Sequence, residues 1–277
     1  MKHSKLGFGI VGSLDLDTVR KIASKAEEIG IHSLWVNDTP GGDSLARLEA
    51  AASVTSSLRL ATGVISVDRK PAAQILIDVE RRSLPLDRIT LGIGSAAPPS
   101  PLRRIAQNLA TLRESLDAPI FVGSLGPKMR RLAAEQSNGV LFNWLTPEHA
   151  LETTIEMRSQ AKAAGNAPVE SATYVRTALG ADALPRLEEE AARYAAIPSY
   201  GANFRRLDIT ALETAVQGVS ADDIVAGVSA FDGTVDHVIV RAITPSDDLV
   251  HYLHLLDAIA PLVQERVIGT EASQPGT

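Results

Sequence analysis

Cysteine is absent from all 277 residues, which excludes disulfides, thiolate metal sites and a cysteine nucleophile at once. No apolar run approaches the roughly 20 residues that span a bilayer. The opening MKHSKLGFGIVGS enters a strand pattern without a long apolar signal region. The formal net charge of -6 leaves no basic footprint for nucleic acid or an anionic membrane. No GxGxxG follows the first strand pattern, and no GxSxG elbow is present. What remains is ordinary for a globular chain, with 45% hydrophobic and 22% charged residues. A soluble, cytoplasmic protein is the expectation.

Short β-type runs alternate with helical patterns and no linker interrupts them. The runs are Leu6–Gly12, Ile31–Asn37, Leu58–Ser66, Arg88–Gly94, Ile120–Val122, Val140–Trp144, Val169–Leu179 and Val235–Ile243. Helical patterns follow each of them, including a longer stretch over Leu184–Tyr194, Ala211–Val216 and Ala221–Phe231, and a last helix from Pro245 through Leu262. Eight βα units in about 250 residues is the count for a (β/α)8 TIM barrel in a single domain. An open doubly wound sheet is the competitor, but it usually has fewer strands. The barrel domain is expected over 1–266 and a flexible tail over 267–277.

The segment PIFVGSLGPKMRRLAAEQSNGVLFNWLTP, residues 119–147, is one β-loop-α-turn-β unit. Pro127 stands at the first helical position and Gly139 just past the end. Lys128, Arg130 and Arg131 crowd the first turn, where the helix dipole disfavours cations. A bound phosphate would reverse that sign, because free N–H groups and basic side chains would converge on it. A plain solvated basic helix is the other reading.

In a barrel the chemistry sits where strands end. The ends are Gly12-Ser13, Asn37-Asp38-Thr39, Ser66-Val67-Asp68, Gly94-Ser95, Ser124, Asn143-Trp144, Arg176-Thr177 and Arg241. None is a histidine. Of the six histidines, His32 and His237 lie at strand beginnings, and His149, His251 and His254 fall within helices. None has convincing metal-ligand spacing, so no metal site is expected. The site suits a cofactor that carries the chemistry itself.

SLWVND at 33–38, LRLATGVI at 58–65, LDRITLGIGS at 86–95 and GSLGPKMRRLAAEQSNGVLFNWLTPE at 123–148 together resemble the luciferase-like monooxygenase superfamily, in particular its coenzyme F420-dependent oxidoreductases. The resemblance implies a TIM barrel with a deazaflavin or flavin ring at its C-terminal mouth. It implies hydride transfer to or from a small organic substrate. The alternatives are a flavin mononucleotide (FMN)-dependent monooxygenase and a non-catalytic binding barrel. Superfamily members are commonly homodimers, and no nucleic acid or membrane partner is implied.

Carried over residue by residue, the resemblance puts Asp38 and Thr39 beside the ring, with Asp38 the one candidate catalytic group. It makes Gly63-Val64 a non-prolyl cis peptide backing the ring, with Ser66 within hydrogen-bonding reach. It places Gly94 and Ser95 in the loop after strand four, and Ser124, Leu125, Gly126, Pro127 and Lys128 in the phosphate-binding turn. Trp144 joins them as a cofactor contact. Thr39 and the run Ala96-Ala97-Pro98-Pro99 stand where sugar-phosphate dehydrogenases of the superfamily have a His and an acid, which argues against alcohol oxidation. Arg103, Arg104, Lys128 and Arg131 are candidates for the acidic tail of F420, with solvated surface charge as the other reading. If Asp38 faces the barrel axis, strand alternation turns Leu34 and Val36 inward and Trp35 outward.

Overall fold

The chain order begins with β1 (Lys5–Val11), α1 (Leu16–Glu28), β2 (Ser33–Asn37), α2 (Ser44–Ala52), β3 (Arg59–Thr62), β4 (Ile65–Ser66), α3 (Ala72–Arg81) and β5 (Ile89–Gly94). It continues with α4 (Pro101–Ser115), β6 (Ile120–Gly123), α5 (Pro127–Gln136), β7 (Gly139–Asn143), α6 (Pro147–Ala163) and β8 (Glu170–Leu179). The last elements are α7 (Leu184–Ala196), α8 (Pro198–Leu207), β9 (Val216–Gly218), α9 (Ala221–Ser229), β10 (His237–Ile243) and α10 (Leu249–Glu271). This computed structural model describes residues 3–39, 41–96, 98–166 and 168–271.

Pairing runs β10–β1–β2–β3–β5–β6–β7–β8, and β8 pairs back to β10. All of these ladders are parallel, and they close eight strands into a (β/α)8 barrel. β4 continues β3 past Gly63-Val64 and pairs with β5, while β9 pairs with the end of β8 outside the ring. The strands read as nearly continuous apolar runs because both faces are covered. Outward residues such as Leu34, Val36 and Leu60 join the helices in the main core. Inward residues Trp35, Ala61, Phe121, Leu141, Ala172, Tyr174 and Ile239 fill the barrel itself.

Strand β2 therefore has the opposite facing from the one expected from Asp38. Trp35 points into the barrel, with its indole N–H donating to Ser33 Oγ at 2.9 Å, and Leu34 and Val36 point out. The in-out alternation holds within β2, but Asp38 lies beyond the strand and does not continue it. Helix is also absent over most of Ala211–Val216. A short 3-10 turn covers Leu212–Thr214, and Val216–Gly218 pairs with Thr177–Leu179, the end of the ten-residue strand β8. An overhanging strand edge offers backbone partners that outweigh helix propensity. Helix α8, opened by Pro198, was not foreseen. The last helix starts at Leu249 and continues to Glu271, past Leu262, and 272–277 of the expected tail lie outside the described residues.

Candidate functional site

At the C-terminal ends of the strands lies a cavity of about 610 Å³. Asp38, Thr39, Gly63, Val64, Ser66, Gly94, Ser95, Ser124, Leu125 and Gly126 all line it, so ten of the residues singled out from sequence are brought together. Pro127, Lys128 and Trp144 do not line it. Pro127 and Lys128 face solvent at the outer side of the first turn of α5, because helical geometry brings Met129 to the wall instead.

The peptide Gly63-Val64 is cis. Its carbonyl accepts from Asn37 Nδ2 at 2.7 Å. Val64 needs room on the neighbouring strands: a Cβ on Gly94 would fall 2.6 Å from Val64 Cγ2. The glycine at position 94 thus serves the Val64 bulge. Beside it, Ser95 Oγ donates to Asp68 Oδ1 at 2.8 Å, and the Ala96 N–H to Asp68 Oδ2 at 3.1 Å. Asp68 lines the cavity too, an acid present at a strand end in the sequence but not assigned a role there. Arg104 Nη1 also reaches Asp68 Oδ1, at 2.8 Å, and Arg131 pairs with Glu135. Both arginines thus face carboxylates of the chain.

The turn Ser124–Gly126 ends at a helix start without a side-chain cap. Gly126 has φ -98°, open to any residue, and a Cβ there meets nothing within 4 Å. The space left by the missing side chain is cavity. Across from it, α8 contributes Asn203 and Arg206 to the lining. Neither Arg206 nor Arg130 has a carboxylate partner within salt-bridge distance among the described residues. Arg130 is only 4% exposed. It donates to Thr153 Oγ1 at 3.0 Å, and its Nε and Nη2 have no partner. Burial, then the nearby charge of Arg206, push it down to about 10. Two unneutralised guanidiniums beside an uncapped helix start form a positive pole suited to an anion.

Trp144 lies below this lining, fully buried, with φ 58°. Its indole packs with Ala191, Phe204 and Ala211 and so seats α7 and α8 on the barrel rim. The Arg176 guanidinium stacks on it, Cζ 3.4 Å from the ring centroid. That side chain also donates to Asn143 Oδ1 at 2.7 Å and Glu190 Oε1 at 2.8 Å. Burial pushes the Glu190 carboxyl up, but Arg241 and Arg176 beside it pull it lower overall. This network fixes Asn143, which does line the cavity. Opposite, Tyr174 reaches from β8 to Gly63 and forms the floor. Burial raises its hydroxyl well above the ordinary range, so it is a donor and never a base. Tyr194, Tyr200, Asn203, Arg206 and Tyr174 are the residues that sequence reading missed. The first four hang on α7 and α8, outside the βα repeat. Tyr174 lies mid-strand and not at a strand end.

Among the described residues, no group of three or more His, Asp or Glu is placed to hold a metal ion, and no helix is long and apolar enough to cross a membrane.

The site is thus a cavity at the C-terminal mouth of a closed parallel barrel, with Gly63-Val64 in its wall and an anion pole after the fifth barrel strand. Residues 4–119 match the family model of the luciferase-like monooxygenases, and over that part the chain is similar to them. A 5,10-methylenetetrahydromethanopterin reductase of Methanolobus tindarius is 27% identical over 208 residues, 60% of this chain and 64% of that protein. The aligned part is thus under two thirds of that relative's length. The coenzyme F420-dependent tetrahydromethanopterin reductase of Methanopyrus kandleri has the same fold, with TM-score 0.68 and 15% identity over 94% of this chain and 98% of the other. The oxygenating constituent of 3,6-diketocamphane monooxygenase of Pseudomonas putida, in complex with FMN, superimposes with TM-score 0.63 and 16% identity over 94% and 98%.

Proposed function

We propose that this chain is an oxidoreductase that binds deazaflavin coenzyme F420 at the barrel mouth and moves a hydride between that cofactor and a small organic substrate. The observation that carries this reading is the positive pole at one end of the cavity, made by the uncapped turn at Gly126, Arg206 opposite and Arg130 behind. A cofactor with a ring and a phosphate fits a cavity with an apolar wall at one end and the Gly126 helix start and the Arg206 guanidinium at the other. F420 is set ahead of FMN because the tetrahydromethanopterin reductase with the same fold is named as F420-dependent. The second reading, an FMN-dependent monooxygenase, is favoured by the FMN-bound Pseudomonas putida neighbour.

When bound, such a cofactor supplies the hydride-carrying centre. The chain's own residues do the rest. Backbone N–H groups at Gly126 and the Arg206 guanidinium hold the phosphate, while Gly63-Val64 backs the ring. Val64 and Leu141 keep that wall apolar, and Tyr194 and Tyr200 cover it from α7 and α8. Thr39 is no base at neutral pH, and Asp68 already accepts from Ser95 and Arg104. The absence of a free base beside the substrate space among the described residues favours an unsaturated or carbonyl substrate over an alcohol. A homodimer is part of the same reading, checked by light scattering.

Equilibrium titration of the purified apo-protein with F420 and with FMN, followed by absorbance, tests the assignment. Saturable F420 binding is the expected result. Binding of FMN alone transfers the assignment to the monooxygenase reading, and binding of neither removes both. Hydride turnover in the reconstituted protein separates an enzyme from a binding barrel.

A further inference from the structure

Two buried polar atoms at the cavity floor have no partner: the Tyr174 hydroxyl and Asn37 Oδ1. Both residues line the cavity, and both border Gly63. The bond from Asn37 Nδ2 to the Gly63 carbonyl, 2.7 Å, fixes which way the amide points and leaves Oδ1 as its spare acceptor. The Tyr174 hydroxyl sits where only a glycine leaves space, 2.0 Å from the position of a Cβ on Gly63. On its other side the ring lies 3.0 Å from the position of a Cβ on Gly9, and Trp35 stands edge-on at 6.3 Å between centroids. Tyr174 is thus wedged across the barrel, with its hydroxyl fixed beside the Gly63-Val64 peptide. Buried polar atoms left unpaired destabilise a fold, so a pair of them at the floor of a ligand cavity points to the ligand.

A donor and an acceptor that both border Gly63 offer the pair of groups that the C=O/N–H edge of a cyclic imide or lactam requires. We infer that Tyr174 and Asn37 recognise that edge of a ring seated against Gly63-Val64, Tyr174 donating to its carbonyl and Asn37 accepting from its N–H. This rests on the flavin-type reading of the cavity, because flavin and deazaflavin rings both carry an imide edge. It assigns ring orientation to two residues outside the phosphate turn, and it applies equally to either cofactor.

The test uses FMN, F420 and lumichrome, which keeps the imide edge without a phosphate. Wild-type protein and Tyr174→Phe are titrated with each, and the thermal midpoint of each apo-protein is recorded. Loss of the hydroxyl should weaken binding about tenfold for every probe that the wild type binds, as for one buried hydrogen bond. It should also shift the absorption of the bound ring and leave apo-protein stability unchanged or raised. A second arm needs no variant: N3-methyl-lumichrome, with its imide N–H blocked, should bind wild-type protein about tenfold more weakly than lumichrome. If FMN and F420 fail but lumichrome binds and responds as stated, the cofactor reading falls and the imide edge stands. Unchanged affinity and spectrum in folded Tyr174→Phe, no penalty for N3-methylation, or no binding of all three probes by the wild type overturns the inference. So does a destabilised apo-variant with unchanged affinity, which would mean that the Tyr174 hydroxyl serves the packing of the barrel floor and not a ligand.

Discussion

The carboxylate of Asp38 is held on both oxygens: Oδ2 meets Arg69 Nη2 at 2.8 Å, and Oδ1 accepts from the Ser44 hydroxyl at 3.0 Å and backbone N–H at 3.2 Å. The side chain is 5% exposed. It borders the cavity but is turned to the start of α2, tying the loop after β2 to that helix. From sequence alone, Asp38→Asn should weaken cofactor binding or slow hydride transfer, with little change in thermal stability. The geometry reverses this. The substitution should cost about 1 kcal/mol of stability, a modest figure because Arg69 is largely solvated, and leave cofactor affinity unchanged. Urea midpoints and a binding titration decide it, and a large loss of affinity at full stability would return Asp38 to the ligand.

Gly126 makes the contrasting case. Its φ of -98° suits any residue, and a Cβ would project into open space. Gly126→Val should therefore fold with the wild-type thermal midpoint. It should nevertheless lose about tenfold or more in affinity for a phosphorylated cofactor, because the side chain fills the space the phosphate needs. Full affinity in the folded variant would move the phosphate elsewhere.

Arg206 lines the same pole from α8 and is exposed, and its Nη2 donates to Oδ1 of the buried Asn203, so its removal costs the fold that one hydrogen bond. Arg206→Ala should weaken FMN or F420 by about three- to tenfold at low salt. The same change should leave riboflavin, which has no phosphate, unaffected. Equal losses for FMN and riboflavin would place Arg206 against the ring.

The barrel was legible because each βα unit repeats the same pattern, and the strand ends could be read as one list. That list and the family resemblance pointed to Gly63-Val64 and Gly126, which line the cavity. Asp38 was placed at the mouth, but the direction of its carboxylate depends on Arg69 and Ser44, which lie further along the chain. Trp144 is adjacent to a lining residue, Asn143, and yet faces the underside of α7 and α8. The covering wall from Tyr194 to Arg206 was not legible at all. It lies on α7 and α8, where three helices (α7, α8 and α9) and β9 stand between the consecutive barrel strands β8 and β10, and the βα repeat gives no position for α8. Tyr174 was hidden for another reason: an apolar-looking residue mid-strand reads as core, and only the small residues Gly9 and Gly63 across the barrel let it span the floor.

The opposite face of the barrel predicts a pH dependence. His32 precedes β2, its ring centroid 5.6 Å from that of His237. Burial, then the charges of His237, Lys5 and Arg59, push His32 down to about 4 from 6.5, with Glu170 opposing them. The folded state therefore binds its proton less readily than the unfolded chain. Its contribution to stability is full above pH 6.5 and is lost as pH falls from 6.5 toward 4. The loss should total about 1–3 kcal/mol. Glu27, held at about 2 by the N–H groups of Ser57, Leu58 and Ser56, adds its own loss only below its ordinary value of 4.5. Between pH 6.5 and 4.5, His32 can thus be followed apart from Glu27. Urea midpoints for wild type and His32→Gln at pH 7.5 and 5.0 measure the effect. The wild type should lose more stability than the variant over that interval, and equal losses would show that the His32 proton is bound alike in the folded and unfolded chain.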